Sequence, residues 1–190
     1  MASAGRLISQ EDCFTPLHVA IYLNRIKLLQ VLLCDITLVK IAESMSSTPL
    51  MLASELAMED CLKILLSRGG GIAVRDKSLG ETAIHYACRS GVPDSTLKLI
   101  LSWHNGSKSN HLQKALLCCN HKGQTALHVA CESGHTHLVE TFLQTCSPTI
   151  LSRLLLLQDK QQQTPLLAAV GVGATEVVIL LLMNRNVNQH

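Results

Sequence analysis

Cysteine and histidine side chains cluster in the second half of the chain, where such residues could bind a transition metal. The chain contains eight cysteines and nine histidines. The densest group of them consists of Cys118, Cys119, His121, Cys131, His135 and His137. Zinc sites usually combine Cys-x2-4-Cys or His-x3-5-His pairs, and this group contains neither spacing. We therefore predict that the chain holds no metal and no other cofactor.

Catalytic patterns are also missing from the sequence. The stretch "RGGG" from Arg68 to Gly71 is rich in glycine. It lacks the Gly-Lys-Ser/Thr ending of a phosphate-binding loop, and it follows a helical pattern where such a loop follows a strand. There is no G-x-S-x-G elbow and no H-E-x-x-H helix, and the carboxylates are too dispersed to nominate a catalytic pair. We predict that the protein is not an enzyme.

Composition and charge exclude several further classes. The chain has 190 residues, 47% of them hydrophobic, which favours a folded protein. Its net charge of +2 predicts no direct binding of nucleic acid. The apolar runs Leu154–Leu157 and Val177–Met183 are far shorter than the ~20 residues that span a bilayer, so we expect no membrane insertion. Cysteines scattered through apolar segments, with no signal peptide before them, indicate reduced thiols and a cytoplasmic or nuclear location.

The chain is built from five copies of one sequence pattern. The structural elements that these copies form must position any functional residue. Each copy starts with a threonine, and an alanine follows five residues later. The copies are "TPLHVAIYLNR" from Thr15, "TPLMLASELAM" from Thr48, "TAIHYACRSGV" from Thr82, "TALHVACESGH" from Thr125 and "TPLLAAVGVGA" from Thr164. Successive threonines are 33, 34, 43 and 39 residues apart, and each copy is followed by a leucine-rich segment of helical period. The pattern predicts five pairs of short antiparallel helices.

The physical roles of these residues follow from their positions. A threonine side chain can cap the first turn of a helix, and a proline directly after it loses no hydrogen bond. The alanine five residues later is small enough to let two helices approach closely, while the leucines of the second helix fill the space between neighbouring pairs. Gly80 and Gly123, each two residues before a threonine, favour a tight hairpin. Stacked pairs then share one continuous core.

This pattern resembles the ankyrin repeat family, whose repeat of about 33 residues starts with Thr-Pro-Leu-His-x-Ala. The resemblance covers nearly the whole chain, although Met51 and Leu167 replace the histidine and Ala83 and Ala126 replace the proline. It implies an all-α solenoid of stacked helix-turn-helix units joined by short hairpin loops. It also implies that the histidines of the first turn, His18, His85 and His128, are structural and bond to the capping threonine and the neighbouring loop.

The unit boundaries that we predict treat the chain as a single domain, 1–190. The units cover approximately 10–42, 43–76, 77–119, 120–158 and 159–190, with insertions at about 103–117 and 147–157. The first insertion has a polar tip, "HNGSKSN", and each insertion is expected to add a short turn of helix. Either the insertions are tolerated surface features, or they protrude as recognition elements. Similar longer connections occur in inhibitor-of-kappa-B-type ankyrin domains, which bind Rel transcription factors.

The resemblance also implies which residues contact a partner. In the family these residues flank the hairpin glycine, precede the threonine, or precede the glycine that closes the first helix. In this sequence they are Phe14, Tyr22 and Leu23 in the first unit, Leu79, Glu81, Arg89 and Ser90 in the third, and Lys122, Gln124, Glu132 and Ser133 in the fourth. We expect Tyr22→Ala and Arg89→Glu to weaken binding while leaving thermal unfolding nearly unchanged.

Three functions remain open. The sequence favours a protein-interaction scaffold that binds a protein partner, of unknown identity, through its hairpin tips and the concave face formed by its first helices. The alternatives are a structural spacer within a longer chain and an inhibitor of a Rel-type transcription factor. The last helix also looks apolar on its outer side, so we expect that further chain, a partner or a second copy covers Val178, Leu181 and Leu182.

Overall fold

The protein is a stack of short helices. The structure, a computed structural model, describes residues 15–69, 71–103 and 109–187. These ranges contain thirteen helices and no strand. The first helices of the five units are α1 (Pro16–Tyr22), α4 (Pro49–Glu55), α6 (Ala83–Ser90), α9 (Ala126–Glu132) and α12 (Pro165–Gly171). The second helices are α2 (Ile26–Leu32), α5 (Glu59–Ser67), α7 (Asp94–Leu101), α10 (Thr136–Thr145) and α13 (Thr175–Val187). Three additional helices are α3 (Ile36–Glu43), α8 (Ser109–Leu117) and α11 (Pro148–Leu156).

The helices pack in layers, as the repeat pattern predicts. The first helices contact one another in the order α1, α4, α6, α9 and α12, and the second helices in the order α2, α5, α7, α10 and α13. Ala20, Ala53, Ala87, Ala130 and Ala169, the alanines five residues after each threonine, are all fully buried. A side chain larger than alanine would separate the layers at these points. The predicted all-α solenoid of stacked helix-turn-helix units is confirmed.

Each first helix starts at its threonine, which has an extended backbone and serves as the N-cap. In the third unit the Thr82 amide donates to Nδ1 of His85 at 3.2 Å, and the Thr82 hydroxyl lies 2.8 Å from the same atom. Nδ1 accepts the amide proton, so Nε2 carries the hydrogen and donates to the Gln124 carbonyl of the next unit at 3.1 Å. The histidine therefore ties one unit to the next.

The same bond recurs twice more. His18 Nε2 lies 3.0 Å from the Ser47 carbonyl, and His128 Nε2 lies 3.1 Å from the Gln163 carbonyl. Both histidines also contact their capping threonines through Nδ1 at 2.8 Å. Because each ring has polar partners on both nitrogens, all three histidines can be buried. The structural role that the resemblance implied for them is what the structure shows.

The turn between the two helices of a unit needs a residue in the left-handed region. This residue stands nine positions after the threonine in every unit, with φ between 50° and 72°. It is Asn24, Ala57, Gly91, Gly134 and Gly173 in chain order. Glycine adopts this conformation without steric cost, asparagine tolerates it, and alanine is strained by it. The second unit therefore has a less favourable turn than the last three.

Hairpins project before the third, fourth and fifth first helices. They are closed by backbone bonds from Asp76 N to Glu81 O (2.8 Å), from Asn120 N to Gln124 O (2.9 Å) and from Asp159 N to Gln163 O (2.9 Å). Neighbouring tips are bonded as well, since His121 N donates to Leu79 O at 2.7 Å and Lys160 N donates to Lys122 O at 3.0 Å. The hairpins thus form one connected edge.

The additional helices differ from the sequence-based expectation. The two insertions contain nine-residue helices, α8 and α11, instead of a single short turn. Ala115, Leu116, Leu151 and Leu154 of these helices are buried, and α11 packs on α8 and α12. These helices therefore extend the core. Residues 104–108, most of the predicted polar tip, lie outside the described residues. A third additional helix, α3, was not predicted; it occupies the connection before the second unit, where a hairpin was expected.

The last helix is only partly exposed on its outer side. Leu181 is buried within the stack, which corrects the expectation that it needs an external cover, and Val178 is partly buried. Leu182 is exposed. Among the described residues, no helix is both long enough and apolar enough to cross a bilayer.

Candidate functional site

One row of residues runs along the C-terminal ends of the first helices. It is formed by the residue seven positions after each threonine, at or next to the end of the first helix. We call it the first-helix row, and its members are Tyr22, Glu55, Arg89, Glu132 and Gly171. The row changes from aromatic through acidic, basic and acidic again to small. All members except the partly buried Glu55 are exposed, so the row is accessible to another molecule.

Arg89, the cation in the middle of this row, is held by a buried acid. Glu81 precedes the capping threonine of the same unit, and it is 0% exposed. Arg89 forms an ion pair with Glu81, in which Nε donates to Oε2 at 3.2 Å and Nη2 donates to Oε1. The Arg89 side chain is itself 40% exposed. A buried carboxylate thus fixes one side of the guanidinium and leaves the other side open.

Glu81 is also bonded to the following unit. Asn120 Nδ2 donates to Glu81 Oε1 and to Gln124 Oε1, both at 3.3 Å. Gln124 Nε2 in turn donates to Glu132 Oε2 at 3.0 Å. The network continues from Arg89 through two hairpins to the next acid of the first-helix row. Its members are fixed relative to one another, because each buried polar group has a partner.

Glu55 lies on the other side of Arg89. Burial raises the pKa of the Glu55 carboxyl, the nearby Arg89 charge opposes this, and the Glu81 charge adds to it. Glu55 Oε2 is buried and has no hydrogen-bond partner among the described residues. Glu55 therefore supplies a second carboxylate close to Arg89 whose hydrogen-bonding capacity is incompletely used.

The hairpin before the first helix of the third unit is held by the side chain of Asp76. Asp76 Oδ1 accepts from the backbone amides of Leu79 at 2.6 Å and Gly80 at 2.8 Å. The other oxygen, Oδ2, accepts from the Tyr86 hydroxyl at 3.0 Å. Burial raises the pKa of Tyr86, and the Asp76 charge raises it further. The Leu79 tip is therefore presented at a fixed place above the first helices.

A groove of ≈ 500 Å³ is lined by residues of the fourth and fifth units. Its lining includes Lys122, Gln124 and Glu132 from the fourth unit and Asp159 and Lys160 from the fifth. Charges of both signs face the groove, so it suits a polar peptide segment with its own mixed charges better than a uniformly charged ligand.

Most of the sequence-predicted contact residues are exposed in the structure. Among them, the exposed residues are Tyr22, Leu23, Leu79, Arg89, Ser90, Lys122, Glu132 and Ser133. Glu81 and Gln124 are buried and act by orienting Arg89 and Glu132. Phe14 lies outside the described residues. That these residues bind a partner remains a prediction.

Two residues of the site were missed by sequence reasoning. Glu55 belongs to the first-helix row, and counting seven residues from Thr48 identifies it. Asn120 starts a hairpin and connects Glu81 to Gln124; its side-chain contacts leave no signal in the repeat spacing. The network also revises one expectation: since Arg89 neutralises a buried carboxylate, Arg89→Glu should lower stability and is not a clean binding variant.

The cysteines and histidines form no further site within the described ranges. No group of three His, Cys, Asp or Glu side chains there could hold a metal ion. Burial raises the pKa of Cys131 to about 12 and that of Cys146 to about 11. At neutral pH both remain thiols, the unreactive form of the side chain.

Comparison with known proteins agrees with the geometry. A family model described as "Ankyrin repeats (3 copies)" matches residues 17–113 and 94–190. The chain belongs to the ankyrin repeat family. The B-cell lymphoma 3 protein homolog of Mus musculus is 31% identical over 183 residues, which are 94% of this chain and 38% of that protein. The chain therefore spans well under half the length of this curated relative. Ankyrin repeats generally mediate protein–protein interaction. The threonine cap is present in all five units of this chain, and the interunit histidine is present in three of them.

Proposed function

We propose that this ankyrin array is a protein-interaction module that binds a protein partner through the first-helix row and the hairpin tips. The observation that carries the proposal is Arg89, a half-exposed guanidinium held from behind by the buried Glu81. An arginine that is already oriented loses little side-chain entropy on binding, and arginine is enriched among the residues that dominate interface energies.

The surroundings of Arg89 suggest the chemistry of the partner. Glu55 and Glu132 flank it on neighbouring units, and Tyr22 supplies an exposed aromatic ring at the same position of the first unit. A carboxylate of the partner would pair with Arg89, while hydrogen-bond donors of the partner would bind Glu55 and Glu132. Tyr22 favours an apolar contact at one end. A partner segment with alternating charge and one apolar residue fits this order.

The experiment is affinity capture with matched variants, followed by measurement of the binding constant. Tyr22→Ala removes an exposed ring, and Glu81→Gln combined with Arg89→Gln removes the presented cation without leaving a buried charge. Lys98→Glu, on the exposed side of α7, is the control because it changes a charge away from the row. We expect a partner that binds wild type and the control, and that binds each row variant at least about fivefold more weakly.

The same experiment can contradict the proposal. If both row variants retain the partner while substitutions on the exposed sides of α8 and α11 abolish its binding, recognition belongs to the additional helices. If no stoichiometric partner is found, the spacer function gains support.

Inhibition of a Rel-type transcription factor is a second candidate. It is supported by the lengthened connections that carry α8 and α11, and by the similarity to the B-cell lymphoma 3 protein homolog. The direct test is titration of a purified Rel dimer with the chain and with the same row variants. Binding that the row variants weaken and Lys98→Glu does not would favour it, and absence of binding would remove it.

A further inference from the structure

The internal interfaces of the stack define two different faces on every unit. The residue three positions after the threonine faces the next unit, as the bond from His85 to the following hairpin shows. The residue six positions after the threonine is fully buried in each of the first four units and exposed in the fifth, so it faces the same way. These two positions belong to the trailing face. The residue four positions after the threonine, exposed only in the first unit, belongs to the leading face.

The trailing face of the fifth unit is open and apolar. Its positions hold Leu167 and Val170, which are 49% and 54% exposed. In the earlier units the equivalent residues are at most 5% exposed. They are His18, Met51, His85 and His128 at the first position and Ile21, Ser54, Cys88 and Cys131 at the second. The fifth unit is thus more apolar at these positions than most internal units, although its side chains meet solvent. Leu182 of α13 extends this open surface.

The leading face of the first unit is open in the same manner. Val19 is 43% exposed, whereas the equivalent Leu52, Val129 and Ala168 are almost fully buried by the unit before them. On the second helix Leu28 is 48% exposed, and its counterparts in the second, fourth and fifth units are fully buried. Val19 and Leu28 therefore lie where a preceding unit would pack.

We propose that the trailing face of the fifth unit binds the leading face of the first unit of a second copy of this chain. The two surfaces carry the same positions, in the same register, as the interfaces already formed between successive units, so the contact continues an existing interface. Leu167 replaces the histidine of that interface, which means that no buried donor is left without an acceptor. Because the two surfaces differ, the association is head-to-tail and gives linear assemblies that do not close on themselves.

The test blocks one surface at a time. Val170→Glu places a charge on the trailing face and leaves the leading face intact; Val19→Glu does the opposite. Both residues are about half exposed, so both variants should fold, which circular dichroism and thermal unfolding of each variant verify. The mass of the full chain is measured by light scattering over a range of concentrations, for wild type, each variant and their equimolar mixture. No binding partner is needed, so the outcome is independent of the proposed function.

We expect the average mass of wild type to rise with concentration above the 20.7 kDa of one chain. Each variant alone should remain monomeric. Their mixture should form a species of about twice the chain mass, in which the intact trailing face of one variant meets the intact leading face of the other. Wild type that stays monomeric at every concentration overturns the proposal, and so does a mixture that stays monomeric. A variant that forms dimers alone overturns it too, because it indicates a symmetric contact.

Discussion

The ion pair between Glu81 and Arg89 gives the most informative stability prediction. Glu81 is completely buried, and Arg89 and Asn120 donate hydrogen bonds to its carboxylate oxygens. Arg89→Gln removes the positive charge and leaves the buried carboxylate with a single side-chain donor. Glu81→Gln removes the negative charge and leaves Arg89 half exposed, where water can solvate it. The two single variants should therefore differ in cost.

The magnitude follows from the burial of each partner. Removing one member of a fully buried pair costs about 3–5 kcal/mol. Arg89 is 40% exposed, and Asn120 still donates to Glu81, so we expect Arg89→Gln to cost about 2 kcal/mol of unfolding free energy. For a chain of this size that lowers the melting temperature by roughly 4–8 °C. In the Glu81→Gln background no buried charge is left, and the same substitution should cost about 0.5 kcal/mol or less.

The assay is urea unfolding of wild type, both single variants and the double variant, which together form a double-mutant cycle. Lys98→Gln on α7 serves as a control for loss of an exposed cation and should be nearly neutral. The expected coupling energy is about 1.5 kcal/mol, the difference between the cost of Arg89→Gln in wild type and its cost in the Glu81→Gln background. If Arg89→Gln costs the same with and without Glu81, this arginine does not stabilise the buried acid, and Glu81 does not fix the orientation of the guanidinium.

Three further predictions concern the turns, the histidines and the cysteines. Ala57→Gly should raise stability by about 0.5–1 kcal/mol in urea unfolding, because φ at this residue is 54° and strains alanine; a loss of stability would contradict the strain. Burial lowers the pKa of His85 and His128, so their contribution is complete above the unfolded pKa of about 6.5 and is lost as pH falls below it. Stability should therefore decrease from about pH 7.5 to about pH 5.5, and His128→Leu should be destabilising at the higher pH yet flatten this dependence; an unchanged slope would contradict it. Cys131→Ala should cost about 1 kcal/mol and Leu138→Ala about 2–5 kcal/mol, and elemental analysis showing one zinc per chain would refute the packing role of the thiol.

Much of the fold could be predicted because the same residue pattern, with the same structural roles, occurs five times in the sequence. Three structural roles each require a residue type at a fixed position of the repeat: the threonine cap, the small residue at the helix crossing and the apolar residues of the second helix. The first-helix row follows from the same spacing, since the seventh residue after each threonine is fixed once the threonine is known. Counting to that position in every unit would have included Glu55 as well as Arg89 and Glu132.

The additional helix α3 could not be predicted from spacing. The first two threonines are 33 residues apart, the length of an ordinary unit, so no insertion is visible. The helix forms because Asp35 caps it, accepting from Thr37 N at 2.8 Å, and because Leu38 and Val39 pack on the core. Exchange of a hairpin for a helix of equal length changes the side-chain pattern and leaves the repeat length unchanged.

The burial of Glu81 could not be predicted from the sequence either, because it depends on the neighbouring unit. Glu81 precedes Thr82 in the third unit, but the hairpin of the fourth unit covers it and supplies Asn120 as a donor. The orientation of Arg89 is therefore a property of the interface between two units, which neither unit possesses alone. In a repeat protein these nearest-neighbour interfaces contribute much of the stability. A partner that binds Arg89 consequently contacts a residue whose position depends on the stacking of its neighbours, so partner binding and the stacking of the third and fourth units are thermodynamically linked.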